Sequence, residues 1–133
     1  MRLARDGETL PRYGVVLVAP SERHLVVRGA RLDLIDGPER HSCKPSVDVL
    51  FESLVGRPNT IACLMTGMGR DGAEGLRRIR VGGGVTIAQD EASSVVFGMP
   101  REAINLGAAA RILALDEIAP ALVELTRGGG GSA

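Results

Sequence analysis

The sequence predicts an α/β fold, a mostly parallel sheet with flanking helices and an added antiparallel β-hairpin. Three observations carry that prediction. Short apolar runs bounded by turn residues recur along the chain and read as strands buried inside a parallel sheet. Segments of helical period follow them, so strand–helix units repeat, with crossovers expected to be right-handed. Near the start, two alternating segments flank a tight Gly-Ala turn, the pattern of a hairpin.

Residues 1–12 are polar and turn-rich, and no element is expected there. Val15 to Ala19 reads as a short buried strand closed by Pro20-Ser21. His24 to Arg28 and Arg31 to Ile35 form the hairpin around Gly29-Ala30, ended by Asp36-Gly37-Pro38. After Pro45-Ser46, Val47, Leu50, Phe51, Leu54 and Val55 fall on one helical face, and Gly56 stands past the end. Ile61 to Met65 is five apolar residues, expected to be a strand buried on both faces. A glycine turn leads to a helix over Leu76 to Arg80, closed by Gly82-Gly83-Gly84. Val85 to Ala88 is the next strand, whose carboxyl end brings Gln89, Asp90 and Glu91 to the same edge. Pro100 opens a helix to Leu106, Arg111 to Ala114 is a last strand, and Asp116 is the expected N-cap of a helix through Leu125. Pro120 is tolerable there in or near the first turn. Residues 1–127 are read as one domain and 128–133 as a flexible tail.

Composition narrows the function. Apolar residues make up 44% of the chain, but Tyr13, Phe51 and Phe97 are the only aromatics, so the core is aliphatic. Lys plus Arg and Asp plus Glu both total 16, which argues against a dedicated nucleic-acid binder with a basic face. Cys43 and Cys63 lack metal-ligand spacing, and neither a metal nor a cofactor is expected. No run reaches the roughly 20 apolar residues of a membrane span. The first residues lack a signal peptide's apolar region, so a cytoplasmic setting is expected.

The chemistry centres on Thr66-Gly67-Met68-Gly69-Arg70-Asp71-Gly72-Ala73. Strand, glycine turn and helix put Asp71 at the carboxyl end of a strand, where open α/β sheets hold their sites. A helix N-terminus beside it favours the charged carboxylate, so Asp71 is expected to be ionised at neutral pH. By spacing alone, Gly67-x-Gly69-x-x-Gly72 also fits a dinucleotide-binding turn, with acidic residues about 20 positions further on. Against that reading, Asp71 would stand where two phosphates must be cradled. Titration with NAD or ATP decides it, since absence of saturable binding removes it.

Read whole, the string Thr66 to Ala73, then Thr86-Ile87-Ala88-Gln89-Asp90-Glu91, then Val95-Val96-Phe97-Gly98-Met99-Pro100-Arg101-Glu102-Ala103-Ile104, closely resembles the CheB-type protein-glutamate methylesterases of bacterial chemotaxis. Arg40-His41, Pro45 to Phe51, and Ala19-Pro20 with Arg23-His24-Leu25 resemble the same family, from about Asp6 to about Leu125. The resemblance implies an incomplete methylesterase (Rossmann-like) domain that hydrolyses glutamate methyl esters on chemoreceptors and deamidates glutamines in some members. It implies a Ser-His-Asp triad in which Asp71 is the aspartate, with Met68 and Gly69 in the substrate or oxyanion loop. The implied partners are methylated chemoreceptors, with no membrane insertion and no nucleic acid.

The family's S-T-G-G turn, which carries the serine, and its Q-H-M-P segment, which carries the histidine, do not occur in this sequence. The chain therefore resembles the carboxyl-terminal part of the domain, and a missing amino-terminal half or receiver domain is an expected partner. His24 and His41 match non-catalytic positions, and are read as a hairpin surface residue and a loop residue packing before the Ser46 helix. Ser93-Ser94 is read as capping a turn, Asp90 and Glu91 as turn carboxylates, and Arg101 with Glu102 as a surface pair. Alone, the chain is expected to be nearly inactive. The rival class is a non-catalytic or split-half module that self-associates through exposed sheet surface. A sharply monomeric chain counts against it.

Overall fold

The computed structural model describes residues 1–12 and 14–132, with side chains to residue 127. Its core sheet is three parallel strands, β5 (Ile61–Leu64), β6 (Val85–Gln89) and β7 (Arg111–Leu113), in that order. Ile61 pairs with Val85 and Gln89 with Leu113. Helices α2 (Ala73–Val81) and α3 (Gly98–Asn105) connect the strands and pack on β5 and β6. The hairpin is present, with β3 (His24–Arg28) antiparallel to β4 (Arg31–Ile35). Helix α1 (Val47–Leu54) lies between β3 and α2. Its Leu50 and Leu54 belong to both apolar clusters, one under the hairpin and one around Leu76, Ile79 and Phe51. The amphipathic stripe read from Val47 onward is thus the seam joining the two halves of the core.

Several expectations need correction. Strand β5 stops at Leu64, and only Ala62 and Leu64 are buried. Ile61 and Cys63 point to the opposite face and are half-buried, and Met65 is exposed, because α2 and α3 share one side of the sheet. Residues 1–12 do contain an element, β1 (Arg2–Leu3), parallel to β2 (Leu17–Val18). Helix α3 begins at Gly98, so Pro100 is its third residue rather than its first. That position still lacks an intrahelical acceptor for its N–H, so proline fits. Helix α4 (Leu115–Ser132) starts before Asp116, which lies in its first turn rather than at its cap. The reach-back comes from Glu117, whose carboxylate accepts from the Ala114 amide at 2.9 Å. Pro120 falls just past that first turn. The α4 backbone is helical through Ser132, where a tail was expected from Gly128. The side chains of 128–133 and all of Ala133 lie outside the described residues, and the expected flexibility with them.

The polar start is held by its own charges. Arg2 and Glu8 form a two-pronged ion pair, and the Arg5 amide also donates to Glu8. The Arg2 hydrogen bond, then the Arg5 amide, pull the Glu8 carboxyl down to about 2. A depressed carboxyl stabilises the fold fully above its unfolded value, near 4.3, and loses that contribution as pH falls toward 2. Denaturation midpoints should therefore fall between about pH 4 and 2. Glu8→Gln should flatten that part of the curve, and an unchanged slope in the variant would assign the acid limb elsewhere.

Candidate active site

From Leu64 the chain enters the loop that carries the glycines, and this loop is zipped to the segment before α3. Gly67 donates to the Val96 carbonyl at 2.9 Å, Met99 donates to the Gly67 carbonyl at 2.9 Å, and the Thr66 hydroxyl bridges both backbone groups of Val96. Gly98 permits this approach. A Cβ there would lie 2.9 Å from the Gly67 oxygen and 3.0 Å from the Gly69 nitrogen. Met68 is 80% exposed on the loop, and Gly69 sits at φ +90°. Met68, Gly69, Arg70, Phe97 and Arg101 line an open cleft here. Asp71 is not part of that lining, because its carboxylate faces the other side of the loop.

Asp71 is 3% exposed and accepts three hydrogen bonds. Its Oδ1 takes the Ser46 hydroxyl at 2.6 Å and the Asp48 amide at 3.2 Å, while Oδ2 takes the Val47 amide at 2.7 Å. The positive helix end beside it is therefore that of α1, not of α2 as sequence order implied. Val47 and Asp48 are first-turn residues whose amides have no intrahelical acceptor, so a carboxylate is well placed there. Ser46 serves twice, capping α1 through the Val49 amide and donating to Asp71. The exchange is reciprocal. Asp48, fully buried on α1, accepts from the Gly75 amide of α2 at 2.7 Å. Each helix start thus holds a carboxylate from the neighbouring segment.

That exchange weighs against a phosphate site at the start of α2. The Gly75 amide is already taken, a buried carboxylate stands beside it, and Gly72 is packed against Leu64 and Val47. A pyrophosphate at the α2 N-terminus would meet the buried Asp48 carboxylate at the Gly75 amide.

His24 corrects its sequence reading. It is 3% exposed, its Nδ1 accepts from the Ser46 amide at 3.1 Å, and its Nε2 lies 2.9 Å from the Pro38 carbonyl. It is a buried brace behind the cap residue, not a surface histidine. His41 does pack before α1, and its Nε2 lies 3.0 Å from Asp48 Oδ2. The Cys43 thiol is pushed up by burial and by the adjacent Asp71 carboxylate, so it is not an activated nucleophile. Ser93 and Ser94 bond to Asp90 and cap its turn, and Ser93 holds the Asp90 carboxyl below its usual range. No ion pair joins Arg101 to Glu102 among the described residues, although both line the cleft. The sequence reading passed over Ser46 and Asp48 as functional residues. Their signal was a Ser-x-Asp at a helix start, which reads equally as an ordinary cap.

A family model described as CheB methylesterase matches residues 1–122. A protein-glutamate methylesterase/protein-glutamine glutaminase of Anaeromyxobacter dehalogenans (strain 2CP-C) is 54% identical over 129 residues, which cover 96% of this chain and 38% of that protein. Protein-glutamate methylesterase FrzG of Myxococcus xanthus is 50% identical, with 92% of this chain and 37% of that protein covered. The crystal structure of the Thermotoga maritima CheB methylesterase catalytic domain superposes with a TM-score of 0.83 at 33% identity, over 92% of this chain and 67% of that one. The chain spans under two-fifths of the length of the curated relatives that it matches.

Proposed function

This chain belongs to the CheB methylesterase family, and on that premise we propose that it is the carboxyl-terminal part of a protein-glutamate methylesterase domain, supplying the triad aspartate, Asp71. The observation that carries the reading is the Asp71 carboxylate, fixed by three donors at the start of α1. Its Oδ2 accepts a single bond, which leaves a lone pair for the N–H of an imidazole. So held, the carboxylate selects the imidazole tautomer and stabilises the imidazolium that forms when a serine attacks the ester carbonyl. Met68 and Gly69 lie on the exposed side of the same loop and border an open cleft. The substrate is a methylated chemoreceptor and the setting is the cytoplasm. These 133 residues hold neither the S-T-G-G nor the Q-H-M-P segment, so the chain by itself lacks a nucleophile and base for the covalent route.

The test is methanol release from methylated receptor. The chain alone should give none above background. Joined to a segment that supplies those two motifs, it should turn over. A joined, folded protein with no turnover sinks the reading. Turnover by the chain alone, abolished by Asp71→Asn, would reveal a nucleophile within these residues.

A further inference from the structure

We propose that His41, Asp48 and Asp71 form a binding site for a transition-series divalent cation of the Zn2+ type. The inference goes beyond the methylesterase reading, with which it shares the Asp71 carboxylate. One donor atom from each of the three residues lies within 4.8 Å of the others. The second, independent observation is Asp48 Oδ2. This oxygen belongs to a fully buried carboxylate, points toward His41, and has no hydrogen-bond partner. His41 Nε2 is 3.0 Å away, an ion-pair distance, but the contact fails as a hydrogen bond because its geometry is off axis. A buried, unpartnered carboxylate oxygen is costly and calls for a cation.

The His41–Asp48 spacing admits a metal as well as a proton. Two ligands about 2.1 Å from one ion stand about 3.0–3.4 Å apart, which matches the Nε2 to Oδ2 distance. One imidazole nitrogen with two carboxylates favours a zinc-like ion over calcium or magnesium, which take oxygen ligands. The Cys43 thiol, beside Asp71 and donating to the His41 carbonyl at 3.4 Å, is a further soft donor nearby. The approach is built by a tight turn. Arg40 and Cys43 pair across it, and His41 and Ser42 both sit at positive φ, 52° and 63°. The ring is thereby turned onto the carboxylates with its side chain still 24% exposed, so an ion can enter from solvent.

Arg70 is the competing group. Its Nε donates to His41 Nδ1 at 3.1 Å, which sets the lone pair on Nδ1 and the proton on Nε2. Ligation through Nε2 moves that proton to Nδ1 and turns the exposed Arg70 side chain away. The Asp71 carboxylate is then shared between two claimants, a catalytic imidazole and the cation.

The experiment is calorimetric titration of the 133-residue chain with ZnCl2. Saturable binding of one ion per chain is expected, lost in His41→Ala and in His41→Gln. His24 cannot substitute, since both of its nitrogens are engaged in the core. Arg70→Ala should bind about threefold tighter or more, because a unit positive charge nearby is removed. Circular dichroism melts of the His41 variants check that the fold is retained, and the Arg70 variant reports on the site if they fail to fold. No saturable binding by the wild-type chain, equal binding by a folded His41 variant, or weaker binding by Arg70→Ala would each overturn the assignment.

Discussion

Asp71→Asn, made in a complete methylesterase domain whose carboxyl-terminal part is this chain, should lower kcat by about 10⁴ while leaving KM little changed. Two effects combine. The imidazolium formed during acyl transfer loses its counter-charge, and the ring loses the acceptor that fixes its tautomer. The surroundings make asparagine a poor isostere. Backbone amides point at both carboxylate oxygens, Asp48 at Oδ1 and Val47 at Oδ2. Whichever way the asparagine amide is turned, its NH2 faces one of those donors, leaving about 1–3 kcal/mol of unmet polar burial. Stability should therefore drop as well, and two further measurements separate the effects. Ser46→Ala removes one donor but keeps the charge, so it should cost far less kcat for a comparable loss of stability. Activity of Asp71→Asn within about tenfold of wild type would reduce Asp71 to a structural clamp between the helices.

How much of this was legible in the sequence differs by element. The position of Asp71 in the loop after β5 followed from the apolar run Ile61 to Met65 and the glycines after it, because such a run meeting a tight turn leaves few options. The identity of the helix that holds it did not follow. Periodicity reports which face of α1 is apolar, and does not report that Val47 and Asp48 approach a loop more than twenty residues later. His24 was misread for a related reason. Within a hairpin it alternates like a surface residue, but the Ser46 amide crosses to its ring from another element and buries it. Strand β1 was missed because two residues carry no period, and the polar stretch from Arg2 to Glu8 reads as a loop although the Arg2–Glu8 pair staples the strand. Local pattern thus gave the elements and the loop. The contacts made between elements, which decide which donors and acceptors meet, were not in any window of the chain.

Gly75→Val should be the most damaging single substitution in the helical layer, lowering stability by about 2–5 kcal/mol. Glycine inside a helix ordinarily costs about 1 kcal/mol relative to alanine, so a side chain here would help α2 if space allowed. It does not. A Cβ at Gly75 would lie 2.7 Å from Phe51 Cβ, 2.9 Å from Asp48 Oδ1 and 3.4 Å from Asp48 Cα. Phe51 Cβ and Asp48 Cα belong to the α1 backbone or its first side-chain atom, so relief requires the two helices to separate. Separation breaks the Gly75 amide to Asp48 bond, and the fully buried carboxylate then loses the donor on its Oδ1. It also draws Val47 and Asp48 away from Asp71, so in a complete domain kcat should fall along with stability. Gly75→Ala should show the same sign at smaller size, its clash partly offset by helix propensity. Urea melts of the two variants measure the difference. A valine variant within about 0.5 kcal/mol of wild type would mean that α1 and α2 can part without cost, and that the cradle of Asp71 does not depend on their contact.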